Sequence, residues 1–188
     1  MAIPTKYTYS LVNDVGGPVD SDFLVKDIPA SGVVTELLRI DTDGDVLDFW
    51  FADALSGGDQ TILTACVTQH MLEAAKQKRY AEIDAHTDEL VAQGFIFAGK
   101  VFSLEPDAQT NIIGLDMARN EAAMVYPINY GARNSGDYLT IPDAATMHGL
   151  YLTALGTKRA WLDSGQSLKV AIFETTTVAA ALAVVDPR

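Results

Sequence analysis

Apolar and polar positions change period several times along this chain, and those changes mark out strands and helices. Residues 6–12 alternate, the two-residue repeat that sends every second side chain to one face, and Gly16-Gly17-Pro18 closes the run. A short apolar run at 23–28, stopped by Pro29 and Gly32, reads as a second strand. Residues 33–40 and 46–51 flank Asp41-Thr42-Asp43-Gly44-Asp45, which reads as a hairpin with a glycine in its turn. Phe49, Trp50 and Phe51 follow one another on the second of these strands. Consecutive strand side chains point to opposite faces, so both faces need cover, from a second layer or from a partner.

Beyond residue 55 the period lengthens. Ser56 is placed to cap a helix with Asp59 in its first turn, near the positive end of the helix dipole. That helix is expected to end near residue 70, and a second to run from about 73 to 93, closed by Gly94. Phe95-Ile96-Phe97 and Val101-Phe102 around Ala98-Gly99-Lys100 predict a tight hairpin. Pro106 suits the first turn of the next helix, which carries Ile112, Ile113 and Met117. Residues 126–130 and 138–141 predict another hairpin across a polar loop containing Asn134-Ser135-Gly136-Asp137.

A long helix then starts near Pro142 and Asp143. Met147, Leu150, Tyr151, Ala154, Leu155, Lys158, Trp161 and Leu162 keep the three-four spacing of one apolar stripe on it. Gly165 is expected to break it, residues 168–173 to add a turn or two, and residues 175–177 to cap a last segment with Val178, Leu182 and Val185. The expected fold class is α+β. Residues 1–70 form a β-rich region with one helix, and residues 71–188 form an α+β domain of helices, two hairpins and a helical end.

Composition narrows the function. The 188 residues are 48% hydrophobic, enough for a substantial core. The net charge of −12 is uneven: residues 1–75 carry Lys6, Lys26 and Arg39 against twelve acids, a net of −9. Such a chain repels the nucleic-acid backbone and anionic lipid, so neither nucleic acid nor membrane is an expected partner, whereas a basic protein surface would be complemented. The N-terminus lacks the basic, apolar and cleavage-site succession of a signal peptide, and the apolar stretch at 178–185 is too short to span a bilayer. A soluble protein made in a cytoplasm is expected. Cys66, the single cysteine, excludes an intramolecular disulfide and lies on an apolar face with Ile62, Leu63 and Val67.

Candidate chemistry is sparse. His70, His86 and His148 have no metal-ligand spacing. Asp41, Asp43 and Asp45 around Gly44 resemble part of a calcium loop, but Ala52 stands where the later bidentate acid belongs, so an acidic turn is the simpler reading. No Gly-x-Ser-x-Gly elbow is present, and Ser56-Gly57-Gly58-Asp59 puts an acid where a phosphate would be repelled. Asp84, Asp88 and Glu89 read as a solvated helix face. No catalytic residue, cofactor or enzymatic activity is expected.

Residues 76–185 carry an ordered series of local patterns. Lys78-Arg79 and Glu82-Ile83-Asp84 lie on a helix, and Gly94 precedes the first hairpin. Gln109 and Asn111 open the next helix, and the second hairpin leads to an Ala-rich helical end. In this series the segment resembles the C-terminal domain of unknown function found on many tailed-phage tail-fibre and virion proteins. Residues 46–70, with Leu55-Ser56 and Gln60, look like the short segments that precede that domain in other phage proteins. Tyr151, Trp161 and Phe173 depart from its usual alanine-heavy last helix. The family pattern offers no catalytic residues to carry over. The resemblance implies a structural or attachment role in a virion assembled in the bacterial host cytoplasm.

The expectation is therefore a non-enzymatic virion component of the tail, baseplate or fibre base, working through contacts with other virion proteins and as a symmetric homo-oligomer. The acidic N-terminal part would dock and the C-terminal part project or cap. Phe49, Trp50, Phe51, Tyr126, Tyr130 and Tyr138 are the residues expected at an interface or in the core. A head-decoration or head-fibre protein is the alternative. So is a module binding host glycan, with Tyr130 and Tyr138 beside Asn134 and Asp137 as its stacking and hydrogen-bonding groups.

Overall fold

The structure, a computed structural model, describes residues 4–10, 21–133 and 136–188. Helices make up 55% and strands 19% of it, so the α+β class holds. The chain forms two compact units. One comprises Met1–Glu82 and Leu168–Arg188, the other Ile83–Ser167. The sequence had suggested a division near residue 70. The packing units instead part at residue 82, and the last 21 residues return to the first unit.

The first unit is built on a three-stranded antiparallel sheet of β1 (Thr5–Ser10), β2 (Leu37–Asp43) and β3 (Val46–Phe51) in the order β1-β3-β2. Gly44 turns the β2–β3 hairpin with φ +55°, a conformation glycine adopts without strain. The inner face of β3 carries Leu47, Phe49 and Phe51, all fully buried. Tyr7 and Tyr9 of β1 meet Phe51 and Phe49 edge-on at 5.9 and 5.5 Å between ring centroids. Their hydroxyls are used too: Tyr7 Oη accepts from Leu55 N at 2.9 Å, and Tyr9 Oη bonds Thr64 Oγ1 at 3.0 Å.

Residues 23–28, expected as a strand, belong instead to helix α1 (Ser21–Ala30). Leu24 and Ile28, four apart, are both fully buried, while Phe23 and Val25 are about half exposed. A six-residue apolar run supports either reading, and here burial follows the helical spacing. The continuation of β1 to residue 12 and the Gly16-Gly17-Pro18 stop lie outside the described residues.

Helix α2 (Gly57–Gln93) starts where expected, with Ser56 Oγ accepting from Asp59 N at 3.1 Å. It does not stop near residue 70. No glycine or proline occurs from 59 to 93, and residues 71–76 are strong helix formers, so the two expected helices are one. Leu63, Val67 and Met71 of α2 close the core of the first unit against α1 and β3.

The second unit holds residues 83–93 of α2 and the hairpin of β4 (Phe95–Phe97) and β5 (Lys100–Phe102). Helix α3 (Pro106–Ala118) and the hairpin of β6 (Ile128–Gly131) and β7 (Tyr138–Ile141) follow. Both hairpins, the proline start of α3 and the glycine stop of α2 match the sequence reading. Helix α4 (Ala144–Phe173) begins at Asp143, whose Oδ1 accepts from Thr146 N at 2.7 Å. It passes through Gly165 without the expected break. One helical glycine costs about 1 kcal/mol relative to alanine, too little to end a 30-residue helix by itself. The core of this unit gathers Phe95, Phe102, Ile112, Ile141, Met147 and Leu150.

Residues 168–173 of α4 and helix α5 (Val178–Ala183) belong to the first unit. Thr177 caps α5, its Oγ1 accepting from Ala180 N at 3.2 Å. The buried Lys76 donates through Nζ to the α4 terminal carbonyl of Phe173 at 3.0 Å, which neutralises part of the negative helix end.

Candidate functional site

The strand that buries Phe49 and Phe51 must turn Trp50 to the opposite side of the sheet. Cross-strand register sets Lys6 of β1 and Arg39 of β2 directly opposite Trp50. The Arg39 guanidinium carbon stands 4.8 Å from the indole centroid and Lys6 Nζ stands 5.7 Å from it, so the ring lies between two cations. Each cation is held by a neighbouring acid: Lys6 Nζ reaches Asp48 Oδ2 at 3.0 Å, and Arg39 Nε reaches Asp41 Oδ2 at 3.0 Å. Thr8 Oγ1 also donates to Asp48, at 2.6 Å. Hydrogen bonds from Thr8 and then Lys6 hold the Asp48 carboxyl below the usual aspartate range.

The indole Nε1 is buried and has no hydrogen-bond partner among the described residues. A buried tryptophan N–H normally finds an acceptor, and leaving one unmade costs about 1–3 kcal/mol. Pro4, Leu38, Arg39 and Trp50 line a recess of about 310 Å³ beside it, and Leu38 is half exposed. An aromatic ring, flanking charges, an apolar rim and a donor unused among the described residues are chemical features that protein interfaces use.

The other expected interface residues separate. Phe49 and Phe51 are core residues. Tyr130 packs on Phe102 at 5.8 Å, and burial raises its phenol above the ordinary value. Tyr126 is half-buried and donates to Arg119 O at 3.1 Å. Tyr138 alone of the three tyrosines is exposed, at 53%. The glycan arrangement thus retains one free ring, and Asn134 lies outside the described residues. Asp137 carries an ion pair with Lys100.

Asp41, Asp43 and Asp45 surround the β2–β3 turn, and Asp41 is engaged by Arg39. Among the described residues no group of three or more His, Cys, Asp or Glu side chains converges closely enough to hold a metal ion. Among them, too, no helix is long and apolar enough to cross a membrane.

Two histidine–carboxylate pairs were not foreseen. His70 Nε2 lies 2.8 Å from Asp27 Oδ2, beside a recess of about 520 Å³ that also includes Cys66 and Ser31. His148 Nδ1 lies 2.9 Å from Asp116 Oδ1, while Arg119 bonds Asp116 Oδ2 at 3.0 Å. Asp116 is 6% exposed, and His148 stacks on Tyr151 at 6.0 Å. A carboxylate accepts only, so the contact places an N–H at Nδ1 and holds the ring through it. Such an imidazole is oriented for hydrogen bonding, but among the described residues no hydroxyl or thiol is bonded to it. The signal was present as Asp116 and Arg119, three apart on a helix beside Ile112, Ile113 and Met117.

The same α3–α4 seam is antiparallel, since Gln109 also meets Lys158, with Lys158 Nζ donating to Gln109 Oε1 at 2.7 Å. Between its two polar ends lies an apolar groove lined by Ile112, Ile113, Tyr151, Ala154 and Leu155.

Comparison with known proteins finds no match among curated proteins and none among solved structures. Residues 74–186 match a family described as a domain of unknown function, DUF4376. The match takes in α2 from residue 74, both hairpins, the α3–α4 seam and α5. It covers well over half of the chain, and the protein therefore belongs to the DUF4376 family.

Proposed function

We propose that this protein is a non-enzymatic structural component of a tailed-bacteriophage virion, associated with the tail, baseplate or fibre base, and that it works through protein–protein contacts. The contact role rests on Trp50: an indole between Lys6 and Arg39, with a buried Nε1 that has no partner among the described residues, on the outward side of a sheet whose inner side is already packed. A partner surface supplying one carbonyl or carboxylate oxygen would satisfy that donor and cover Leu38 and Pro4. The particle context rests on the resemblance of residues 76–185 to the domain carried by tail-fibre proteins, which overlaps the DUF4376 match almost completely.

The test is the protein content of purified phage particles. Quantitative mass spectrometry should find the chain at a fixed ratio to the structural proteins, and gold-labelled antibody should mark the tail. A Trp50→Ala variant that keeps its circular-dichroism spectrum should be depleted from particles at least several-fold. Particles that lack the chain would end the virion reading. Label on the head would move the protein to a decoration role, and undiminished incorporation of Trp50→Ala would end the role of the sheet face.

A further inference from the structure

The β2–β3 register slips between Leu37 and Arg39, which leaves Leu38 as the extra residue of a bulge on an edge strand. A bulge re-aims side chains. On a regular strand Leu38 and Arg39 would face opposite sides, yet here both line one recess with Pro4 and Trp50. Leu38 is 48% exposed and the Arg39 side chain 61%, so a partner can reach both.

The polar chemistry of the lining side chains is one-sided. A guanidinium and an indole N–H only donate, and Leu38 and Pro4 bring apolar side chains. The Arg39 guanidinium lies over the indole, with its Nε engaged by Asp41. Its two terminal nitrogens have no partner among the described residues. The acids of the three strands stand on the other side of the Lys6–Trp50–Arg39 row. Asp48 and Asp41 are two residues nearer the hairpin turn, about 7 Å along the strands, and Asp43 is further still. Pro4 and Leu38 lie away from the turn. The indole donor would take any oxygen, so Arg39 makes the choice. A carboxylate accepts two parallel bonds from the guanidinium edge, which an amide with its single oxygen cannot.

We propose that this recess receives an acidic side chain of a partner protein, its carboxylate on the terminal N–H groups of Arg39 and a neighbouring aliphatic side chain on Leu38 and Pro4. The inference rests on the contact-making reading of the Trp50 face but separates from it in test. Absence of the chain from particles would leave carboxylate binding in solution standing. Failure to bind a carboxylate would leave the particle assignment and the Trp50→Ala result standing.

The probe is the capped dipeptide acetyl-Leu-Asp-amide, added to the isotope-labelled full chain and followed by NMR. The chain has two tryptophans, and Trp50→Phe identifies which indole N–H resonance belongs to Trp50. That resonance should move saturably, with a dissociation constant of about 1 mM. Acetyl-Leu-Asn-amide, which lacks the charge, should bind about tenfold more weakly or worse. Acetate, which lacks the aliphatic part, should do the same. Arg39→Gln should weaken the acidic dipeptide to a similar degree while the rest of the spectrum stays in place, since Arg39 is exposed. A resonance unmoved up to about 20 mM dipeptide would overturn the proposal. So would equal binding of the Asn dipeptide or of acetate, or binding indifferent to Arg39→Gln.

Discussion

A Cβ added to Gly94 would lie 2.0 Å from the carbonyl oxygen of Phe102. Gly94 ends α2 with φ +83°, its N–H bonded to Val91 O at 3.1 Å, and leads directly into β4. Two constraints therefore meet at one position, a left-handed backbone and a backbone contact that leaves no room for a methyl group. Gly94→Ala should cost about 3 kcal/mol or more, read as a lower midpoint in urea unfolding. Gly99→Ala is the control: φ is +76° but nothing lies within 4 Å, so only the conformational cost of about 1 kcal/mol applies. Equal losses at the two positions would count against the overlap with Phe102.

Asp116 ties α3 to α4 by accepting from Arg119 and His148 at once, from a site only 6% exposed. Removing the acid leaves both cationic or polar partners without their acceptor, whereas removing His148 leaves Asp116 still bonded to Arg119. Asp116→Ala should therefore destabilise by about 2 kcal/mol. His148→Ala, losing a side chain 40% exposed, should cost only about 0.5 kcal/mol. Thermal unfolding of the two variants gives the ranking, and a larger loss for His148→Ala would contradict it.

What the sequence disclosed depended on how local the cause was. Ser56, Gly94, Pro106, Asp143 and Thr177 act within one helical turn, and each caps or opens the helix assigned to it. The Ala98-Gly99 hairpin is equally local, since both residues take positive φ. Where the cause was tertiary, the pattern was silent or misleading. Nothing local distinguishes residues 23–28 as helix rather than strand until Leu24 and Ile28 have a core to enter. The join at residues 70–75 and the passage through Gly165 show the converse, helix propagation outweighing weak local signals. For the candidate site, the alternation of Phe49, Trp50 and Phe51 indicated two differently covered faces. Lys6 and Arg39 beside Trp50 required strand register across more than ten residues, and the meeting of Asp116 with His148 required the α3–α4 packing.

The α4 cap carries a pH dependence with a definite sign. Asp143 accepts from the backbone N–H of Thr146, the largest cause holding its carboxyl below the ordinary aspartate value of 3.8. A group whose folded pKa is depressed stabilises the fold at pH values above its unfolded pKa, and that contribution is lost as pH falls through the folded value. Asp48 and Asp137 are shifted in the same direction, so the melting temperature should be level from neutrality to about pH 5 and fall below it. Asp143→Asn keeps an acceptor at the cap without the titration, and should shallow the acid limb while barely moving the neutral plateau. Superimposable acid limbs for the two proteins would show that the cap carboxylate does not contribute.

Cys66 should behave as a sluggish thiol despite the recess beside it. Burial pushes its pKa above the ordinary 9.0, the negative charge of Asp27 adds to the rise, and a hydrogen bond with the Ser31 side chain pulls the other way. Only the thiolate is nucleophilic, so at pH 7.5 no more than about 3% of the sulfur is reactive, and less than in a free thiol of ordinary pKa. Alkylation by iodoacetamide should run at least several-fold slower than that of glutathione at this pH, with a pH–rate midpoint above 9.0. Asp27→Asn removes the nearby charge and should lower that midpoint while burial keeps it on the high side. A midpoint below 9.0 in the unaltered protein would mean that the sulfur is stabilised as a thiolate, and His70, four residues along α2 and already bonded to Asp27, would become the group to examine.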